Sequence, residues 1–249
     1  MSEITNCARF GDVAEFRNGM NFSRESQGRG CLLIGIPDFK DNFKPNYETL
    51  SEINPTGVVH ADDYLKKGDI LFVRSNGNKA LVGRSLFITK AIKAVFSGFC
   101  IRARVTDAKI DPEFCAYYTR TAHFKKSISS SAGTNINNLN QRILGDVRLP
   151  PFDLPTQQKI AAVLSALDAK IELNNRINAE LEGMAKLLYD YWFVQFDFPI
   201  TAAQAAAMGK PQLEGQPYQS SGAPMTQNKT LKRDIPEGWA ASFVEDLLA

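Results

Sequence analysis

Apolar side chains recur with a heptad period over residues 156–188, in the most regular hydrophobic pattern of the chain. Thr156 is a favourable helix N-cap, and the prolines before it disfavour helix upstream. No proline interrupts residues 156–198, so the pattern predicts a single helix of roughly 35 residues, about 50 Å long. The predicted seam of this helix consists of Ile160, Val163, Leu167, Lys170, Asn174, Ile177, Leu181, Met184 and Leu188.

A helix of this length cannot cover its own apolar stripe and needs a second helix against it. A single long helix has no similar partner within this chain. We therefore expect the partner to come from another chain or from a second copy of the same unit. Lys170 and Asn174 lie in the middle of the seam, where polar residues fix the register of paired helices at some cost in stability.

Residues 1–148 predict a mixed α+β domain with many short strands. Runs at 31–36, 70–73, 86–89 and 99–105 are rich in β-branched and alternating apolar residues. Residues 114–126 are helical in pattern and follow an Asp-Pro pair that suits a helix start. The polar stretch 127–140 is too poor in apolar residues to be expected in the core.

Charge is distributed unevenly along the chain. Residues 1–150 contain 21 Lys and Arg against 15 Asp and Glu, whereas residues 151–249 contain 8 against 12. Residues 70–106 carry seven basic side chains, residues 114–145 carry four, and neither stretch has an acidic one. A groove that holds duplex DNA must exclude carboxylates, so this distribution favours nucleic-acid binding. The alternative is a solvated basic face without a partner.

Two loops place polar side chains beside glycines that permit close backbone approach. The first contains Arg74, Asn76, Asn78 and Lys79, and the second contains Thr134, Asn135, Asn137 and Asn138. Arg donates in bidentate fashion to guanine, and Asn to adenine, through the major groove, whereas Lys and Thr mainly hold phosphates. The alternative for an Asn-Gly cluster is ordinary turn chemistry. The candidate DNA-binding residues are Arg74, Asn76, Asn78, Lys79, Arg84, Lys90, Lys93, Lys125, Lys126, Thr134, Asn135 and Asn137.

No catalytic residue or metal ligand is predicted. His60, Asp62 and Asp63 are close in sequence, but they suit a strand end and the start of a short helical turn better than a metal site. Nucleotide-binding glycine fingerprints and a nucleophile elbow are missing from the sequence. The sequence after Asn54-Pro55 also departs from the Asn-Pro-x-Tyr or Phe motif of adenine methylases. We therefore expect a protein that is not an enzyme.

The four cysteines are scattered and form no C-x-x-C pair, so we expect buried reduced thiols. The apolar runs are too short to span a bilayer, and no signal peptide is recognisable. These features predict a cytoplasmic protein that does not bind membranes.

The segment PPFDLPTQQKIAAVLSALDAKIELNNRINAELEGMAKLLYDYWFVQFDFP resembles the first conserved region of the specificity subunit of type I restriction-modification enzymes. The segments PYQSSGAPM and LKRDIPEGW resemble the approach to the second target-recognition domain of that family. The closing IPEGWAASFVEDLLA is also similar to the opening CARFGDVAEF. The resemblance is looser over residues 1–148, as expected for a domain whose sequence varies with the DNA that it reads.

The resemblance implies four segments. Residues 1–148 would form a target-recognition domain that binds DNA, and residues 149–199 a long-helix dimerisation and spacer region. Residues 200–235 would be a linker, and residues 236–249 the start of a truncated second target-recognition domain.

The resemblance also implies a sequence-specific DNA-recognition subunit that directs methylase and restriction subunits to a bipartite site on double-stranded DNA. The chain would act as a homodimer of half-subunits with antiparallel helices, or as a fragment that needs the other half of a full subunit. No cofactor is expected in this chain, because S-adenosylmethionine, ATP and Mg would belong to the partner subunits. The alternative function is a stand-alone oligomeric DNA-binding regulator or anti-restriction protein.

The aromatic segment YDYWFVQFDFP at the helix end carries too many large side chains for one helix end to bury. Aromatic clusters are typical anchors of interfaces, so we expect a surface that docks the methylase. The alternative is packing onto the recognition domain or the paired helix. The candidate docking residues are Tyr189, Trp192, Phe193 and Phe196.

Overall fold

The computed structural model describes residues 7–22, 26–40, 42–131 and 138–242. The chain divides into two units, Met1–Leu167 and Asp168–Ala249, and one long helix runs across the boundary between them. Each unit has its own buried hydrophobic cluster.

The first unit contains two sheets. The larger is antiparallel, and its strands lie in the order β1 (Ala14–Asn18), β7 (Cys100–Val105), β4 (Ile70–Val73) and β5 (Ser85–Phe87). The smaller has the order β3 (Ser51–Ile53), β2 (Gln27–Ile34) and β6 (Ala94–Phe96), with β2 and β6 parallel. These strands overlap all four predicted β-runs, and β4 coincides with the predicted 70–73.

All four side chains of strand β4 are buried. Because successive side chains point to opposite sides of a strand, both faces of β4 are covered. Ile70 and Phe72 enter a cluster with the helices, and Phe72 packs against the ring of Phe124 at 5.8 Å between centroids. Leu71 and Val73 enter a second cluster, which includes residues of the smaller sheet. The α+β class predicted from the sequence is therefore confirmed.

Among the described residues of this unit, the short α-helices that accompany the sheets are α1 (Phe10–Val13), α2 (Pro112–Tyr118), α3 (Ala122–Ser131) and α4 (Gln141–Asp146). The Asp111 carboxylate caps α2 by accepting a hydrogen bond from the Phe114 N–H at 2.7 Å, as the Asp-Pro pair predicts. The predicted helix 114–126 is divided, because α2 ends before Thr119 and α3 begins at Ala122.

The expectation that residues 127–140 lie outside the core is wrong at two positions. Ile128 and Leu139 are fully buried in the main cluster of the first unit. Ile128 lies on α3, and the Leu139 N–H donates to the Arg74 carbonyl at 2.8 Å. A polar stretch can supply core residues when a helix face or a backbone bridge turns its few apolar side chains inward.

Helix α5 spans Leu154–Tyr189, which is 36 residues and close to the predicted length. The predicted cap at Thr156 is wrong, because the Asp153 carboxylate accepts the hydrogen bond from the Thr156 N–H at 3.1 Å. Hydrogen bonds from the Thr156 hydroxyl and from the Thr156 N–H lower the pKa of Asp153. Pro155 is tolerated because N–H groups of the first helical turn have no partner within the helix. Buried Gln157 anchors this turn, since its side-chain oxygen accepts from the Asp111 N–H at 2.9 Å.

The second unit is built by the aromatic end of the long helix. After α5 the backbone widens into a π-helical turn at Asp190–Val194, and Phe196 then adopts a positive φ of 54°. Helix α6 (Ala202–Ala207) and the hairpin of β8 (Met225–Asn228) and β9 (Arg233–Pro236) follow. The hydrophobic cluster of this unit contains buried Phe196, Phe198, Ile200, Ala205, Tyr218, Ala223 and Ile235.

Residues 200–235, predicted to be a linker, therefore form folded structure with buried apolar side chains. Composition was misleading here, because the core of this segment is completed by Phe196 and Phe198, which precede it. Its role as a connection between two recognition domains stays a prediction. Residues 243–249, half of the predicted start of a second recognition domain, lie outside the described residues.

Three of the four cysteines, Cys31, Cys100 and Cys115, are buried. Burial raises the pKa of Cys100 and of Cys115 to about 12, so both thiols are held protonated near neutral pH. Across the described part of the chain, no helix combines the length and apolar character that crossing a bilayer requires.

Candidate nucleic-acid interface

The loop that connects β4 to β5 carries the first group of predicted DNA-binding residues. Its two ends are held together, because the Val73 N–H donates to the Arg84 carbonyl and the Gly83 N–H to the Val73 carbonyl, both at 2.9 Å. At its tip, the Asn76 side-chain oxygen accepts from the Asn78 N–H at 2.7 Å. The Asn78 side-chain oxygen accepts from the Ala80 N–H at 3.0 Å. Turn chemistry therefore engages both amide oxygens.

Three segments converge at Arg74. Its N–H donates to the Phe99 carbonyl at 2.7 Å, and its carbonyl accepts from the Leu139 N–H at 2.8 Å. Ser75 and Asn138 also form an antiparallel β-bridge. The structure thus joins the first predicted loop to the end of the second. Thr134, Asn135 and Asn137 lie outside the described residues.

Phe99 is a surface feature that the sequence reasoning missed. It follows Ser97-Gly98 in the turn between β6 and β7, and 56% of it is exposed beside Arg74. The available signal was an aromatic residue directly after Ser97-Gly98, but it was assigned to the first position of the predicted strand 99–105. An exposed ring beside cationic and amide side chains can pack on a base or a sugar.

The remaining predicted cations lie in three places. Lys90 and Lys93 are exposed between β5 and β6, and the Lys90 ammonium lies 5.2 Å from the centre of the Tyr47 ring. Lys125 and Lys126 are exposed on α3. Lys79 is exposed at the loop tip, and Arg84 donates to the Lys40 carbonyl.

Two arginines that contributed to the charge argument are structural instead. Arg102 is buried and donates to the Asp62 carbonyl at 2.9 Å, and burial lowers its pKa. Arg104 donates to both carboxylate oxygens of buried Asp69 at 2.7 Å, which raises the pKa of Arg104. Arg102 and Arg104 alternate with Ile101 and Ala103 along β7, so both cations lie on the same face of the strand. Counting charge along a sequence does not reveal which face a strand turns inward.

Asp62 and Asp63 occupy the short helical turn that the sequence favoured over a metal site. The turn spans Ala61–Asp63, and the Asp63 carboxylate accepts from the His60 N–H at 2.8 Å. Asp63 also pairs with Arg17 at 2.6 Å. Among the described residues, no group of three or more His, Cys, Asp or Glu side chains is placed to hold a metal ion.

The predicted seam of α5 is an exposed apolar face over most of its length. Ile160 packs against the core of the first unit, while Lys170 and Asn174 are exposed. The exposed apolar seam residues are Val163, Leu167, Ile177, Leu181, Met184 and Leu188. Ile171, Leu173 and Leu187 are also exposed and were not assigned to the seam. The apolar face is therefore wider than one heptad stripe.

The four predicted docking aromatics have different environments. Tyr189, Trp192 and Phe193 are exposed by 60%, 37% and 47%, respectively. Phe196 is only 4% exposed, packs edge-on against Trp239 at 5.8 Å and is covered by the Arg233 guanidinium. The docking prediction is wrong for Phe196, because its ring is part of a core. It stays a prediction for the other three.

An α+β domain with exposed lysines, joined to a long helix with an exposed apolar face, is typical of a DNA-recognition subunit of a larger assembly. A family profile described as the type I restriction modification DNA specificity domain matches residues 6–183. The chain belongs to this family, as the resemblance of the helical region predicted.

Individual relatives agree with this assignment. The chain is 30% identical over 135 residues to the StySPI specificity subunit of Salmonella potsdam, covering 54% of this chain and 28% of that protein. It is 33% identical over 150 residues to the HindI specificity subunit of Haemophilus influenzae, covering 58% of this chain and 32% of that protein. The matches thus span about a third of each relative or less.

A solved structure from work on complex assembly and conformational transition of the type I R-M system has a similar fold. It superposes with a TM-score of 0.52 at 20% identity, covering 76% of this chain and 44% of that one. At this identity the likeness concerns the fold alone.

Proposed function

We propose that this chain is the non-catalytic DNA-recognition component of a type I restriction-modification system. The observation that carries the proposal is the convergence of three segments at Arg74, in a domain of the specificity family. Base edges would be read there, and exposed lysines of the domain would hold phosphates. Methyl transfer and cleavage, with S-adenosylmethionine, ATP and Mg, would belong to the methylase and restriction subunits.

The test is methylome sequencing of cells that express the chain together with a methylase of the same system. The expected result is one methylated motif that disappears when the chain is omitted. A motif of two related halves separated by a fixed gap supports a bipartite site read by a homodimer. A motif with unrelated halves contradicts the homodimer, and the absence of any motif favours the stand-alone regulator.

Replacing Arg74 with Ala should lower affinity for the cognate duplex by about 1–3 kcal/mol and relax base choice at one position. Lys90→Gln and Lys93→Gln should instead lower the affinity for all DNA sequences to the same extent and flatten the salt dependence of binding. Fluorescence anisotropy against a set of single-base variants of the motif measures both effects. Equal losses on every duplex for Arg74→Ala would show that Arg74 contacts phosphate, not a base.

We also propose that the exposed apolar face of α5 pairs with the same face of a second copy in antiparallel fashion. An isologous pair places two recognition domains about one two-fold axis, which suits an interrupted palindrome. The length of exposed apolar surface supports this, because side chains from Val163 to Leu188 would remain in water without a partner. The competing occupant is a second helical region in a longer subunit.

Replacing Trp192 and Phe193 with Ala should weaken co-purification of the methylase at least tenfold, since large exposed aromatics are typical interface anchors. The measurement is a pull-down with quantified methylase, alongside thermal unfolding of the chain alone. Phe196→Ala is the contrasting variant: it should destabilise the second unit, because a buried ring is removed. If the Trp192 and Phe193 variant unfolds equally, these rings are structural and the docking proposal fails.

A further inference from the structure

Phe99 is an exposed ring between two buried strands of the first unit. All of β6 and the first four residues of β7, which lie on either side of its turn, are buried. Before α5, the large apolar side chains that the structure describes as exposed are Phe99 and Phe152. The Phe152 ring packs on Phe114 at 6.0 Å between centroids. A single exposed apolar residue is ordinary on a protein surface, so exposure by itself indicates no function.

The turn that carries the ring is fixed by backbone hydrogen bonds. The Ser97 N–H donates to the Ile34 carbonyl at 3.0 Å, and the Gly98 N–H donates to the Met20 carbonyl at 2.7 Å. The Cys100 N–H closes the turn by donating to the Ser97 carbonyl at 2.9 Å. Together with the bond that the β4–β5 loop makes to this turn, these contacts tie it to three other segments. A ring on such a support is pre-organised, so little ordering entropy is lost when it binds a partner.

An amide side chain also lies against this turn. A Cβ at Gly98 would overlap Asn21 Oδ1, and a Cβ at Gly19 would overlap the Ser97 carbonyl oxygen. Both positions therefore require glycine, and the segment that carries Asn21 packs directly on the turn. Asn21 is exposed and belongs to neither predicted recognition loop. The turn therefore brings an apolar ring together with an amide and with the β4–β5 loop.

The structure of duplex DNA determines what such a ring can contact. Stacking hides the faces of the bases in a duplex, so a protein meets their edges in the grooves. The apolar group on those edges is the C5-methyl of thymine, which projects into the major groove. Asn and Arg, the residue types at positions 21 and 74, hydrogen-bond adenine and guanine in the same groove. An apolar ring beside them is therefore matched to thymine.

We infer that Phe99 is a specificity-determining residue that packs on the C5-methyl group of one thymine in the recognised half-site. The inference rests on the proposed function, because it requires that this domain reads duplex DNA. It goes further by assigning one base of the site to one side chain, in a turn that the sequence patterns did not single out.

The test removes the methyl group from the DNA as well as the ring from the protein. Each thymine of the motif found by methylome sequencing is replaced in turn by deoxyuridine, which lacks only the C5-methyl. Fluorescence anisotropy measures binding of each duplex to the chain purified with its methylase, for wild type, Phe99→Ala and Phe99→Leu. Phe152→Ala, which truncates a second exposed ring, is the matched control. Thermal unfolding checks that the variants fold.

At one thymine of the half-site, deoxyuridine should weaken binding to wild-type protein about fourfold, the factor that corresponds to one methyl group leaving an apolar contact. Phe99→Ala should bind the thymine and deoxyuridine duplexes equally at that position. Phe99→Leu should retain part of the difference, and Phe152→Ala should retain all of it.

Three results would overturn the inference: a motif without thymine, wild-type binding that no deoxyuridine weakens, or a fourfold difference that persists in Phe99→Ala. In each of them, specific binding of the motif still supports the proposed function. If wild-type protein binds no duplex and directs no methylated motif, the proposed function fails as well. The deoxyuridine series on wild-type protein decides the matter even if a Phe99 variant does not fold.

Discussion

Replacing Leu181 and Leu188 with Glu should convert the proposed dimer to a monomer at micromolar concentration. Both side chains lie on the exposed apolar face of α5. In a two-fold dimer, each residue would be buried once in each of the two copies. Burying a Leu side chain contributes about 1.5–3 kcal/mol, and a carboxylate enclosed there adds a desolvation cost. The dimer dissociation constant should therefore rise at least about a hundredfold.

The control for this experiment is Ala169→Glu/Ala179→Glu, which adds the same charge to exposed positions of α5 outside the predicted seam. Light scattering coupled to size exclusion measures the mass of each protein, and circular dichroism checks the helix content. If wild-type protein is monomeric, the second copy is not the occupant of this face. If the Leu variant stays dimeric, the interface lies elsewhere on the molecule.

Replacing Asp69 with Ala should destabilise the first unit by about 3 kcal/mol. The change removes both carboxylate acceptors of the Arg104 guanidinium, which keeps its hydrogen bond to the Tyr64 carbonyl, and leaves its charge largely buried without its counter-ion. It also removes the acceptor of the Lys66 N–H, which donates to the same carboxylate at 2.7 Å. Urea unfolding followed by circular dichroism gives the free energy of unfolding of each protein.

The matched control is Asp146→Ala, which breaks the exposed pair between Arg9 and Asp146. Water screens that pair, so the cost should be about 0–1 kcal/mol. The double variant Asp69→Leu/Arg104→Met should recover part of the loss, because an apolar pair carries no desolvation penalty. Equal losses for Asp69→Ala and Asp146→Ala would show that the buried pair adds nothing to stability.

Local sequence signals were sufficient for several features. The uninterrupted heptad run specified α5, the Asp-Pro pair specified the start of α2, and four apolar residues in a row specified β4. These features depend on residues only a few positions apart, so periodicity and capping chemistry decide them. The resemblance of the helical segment also indicated the family that the profile confirms.

Tertiary structure alone decided which charges reach the surface and which residues meet. Arg102 and Arg104 counted as basic in the sequence, but the sheet turns them towards Asp62 and Asp69. Segments far apart in sequence join at Arg74 through backbone bonds to Phe99 and Leu139, and the Arg120 side chain donates to the distant Asn42 carbonyl. The core that Phe196 and Phe198 build with Tyr218 likewise joins residues about twenty positions apart. Contacts across such separations depend on the register and packing of whole elements, which no local pattern encodes.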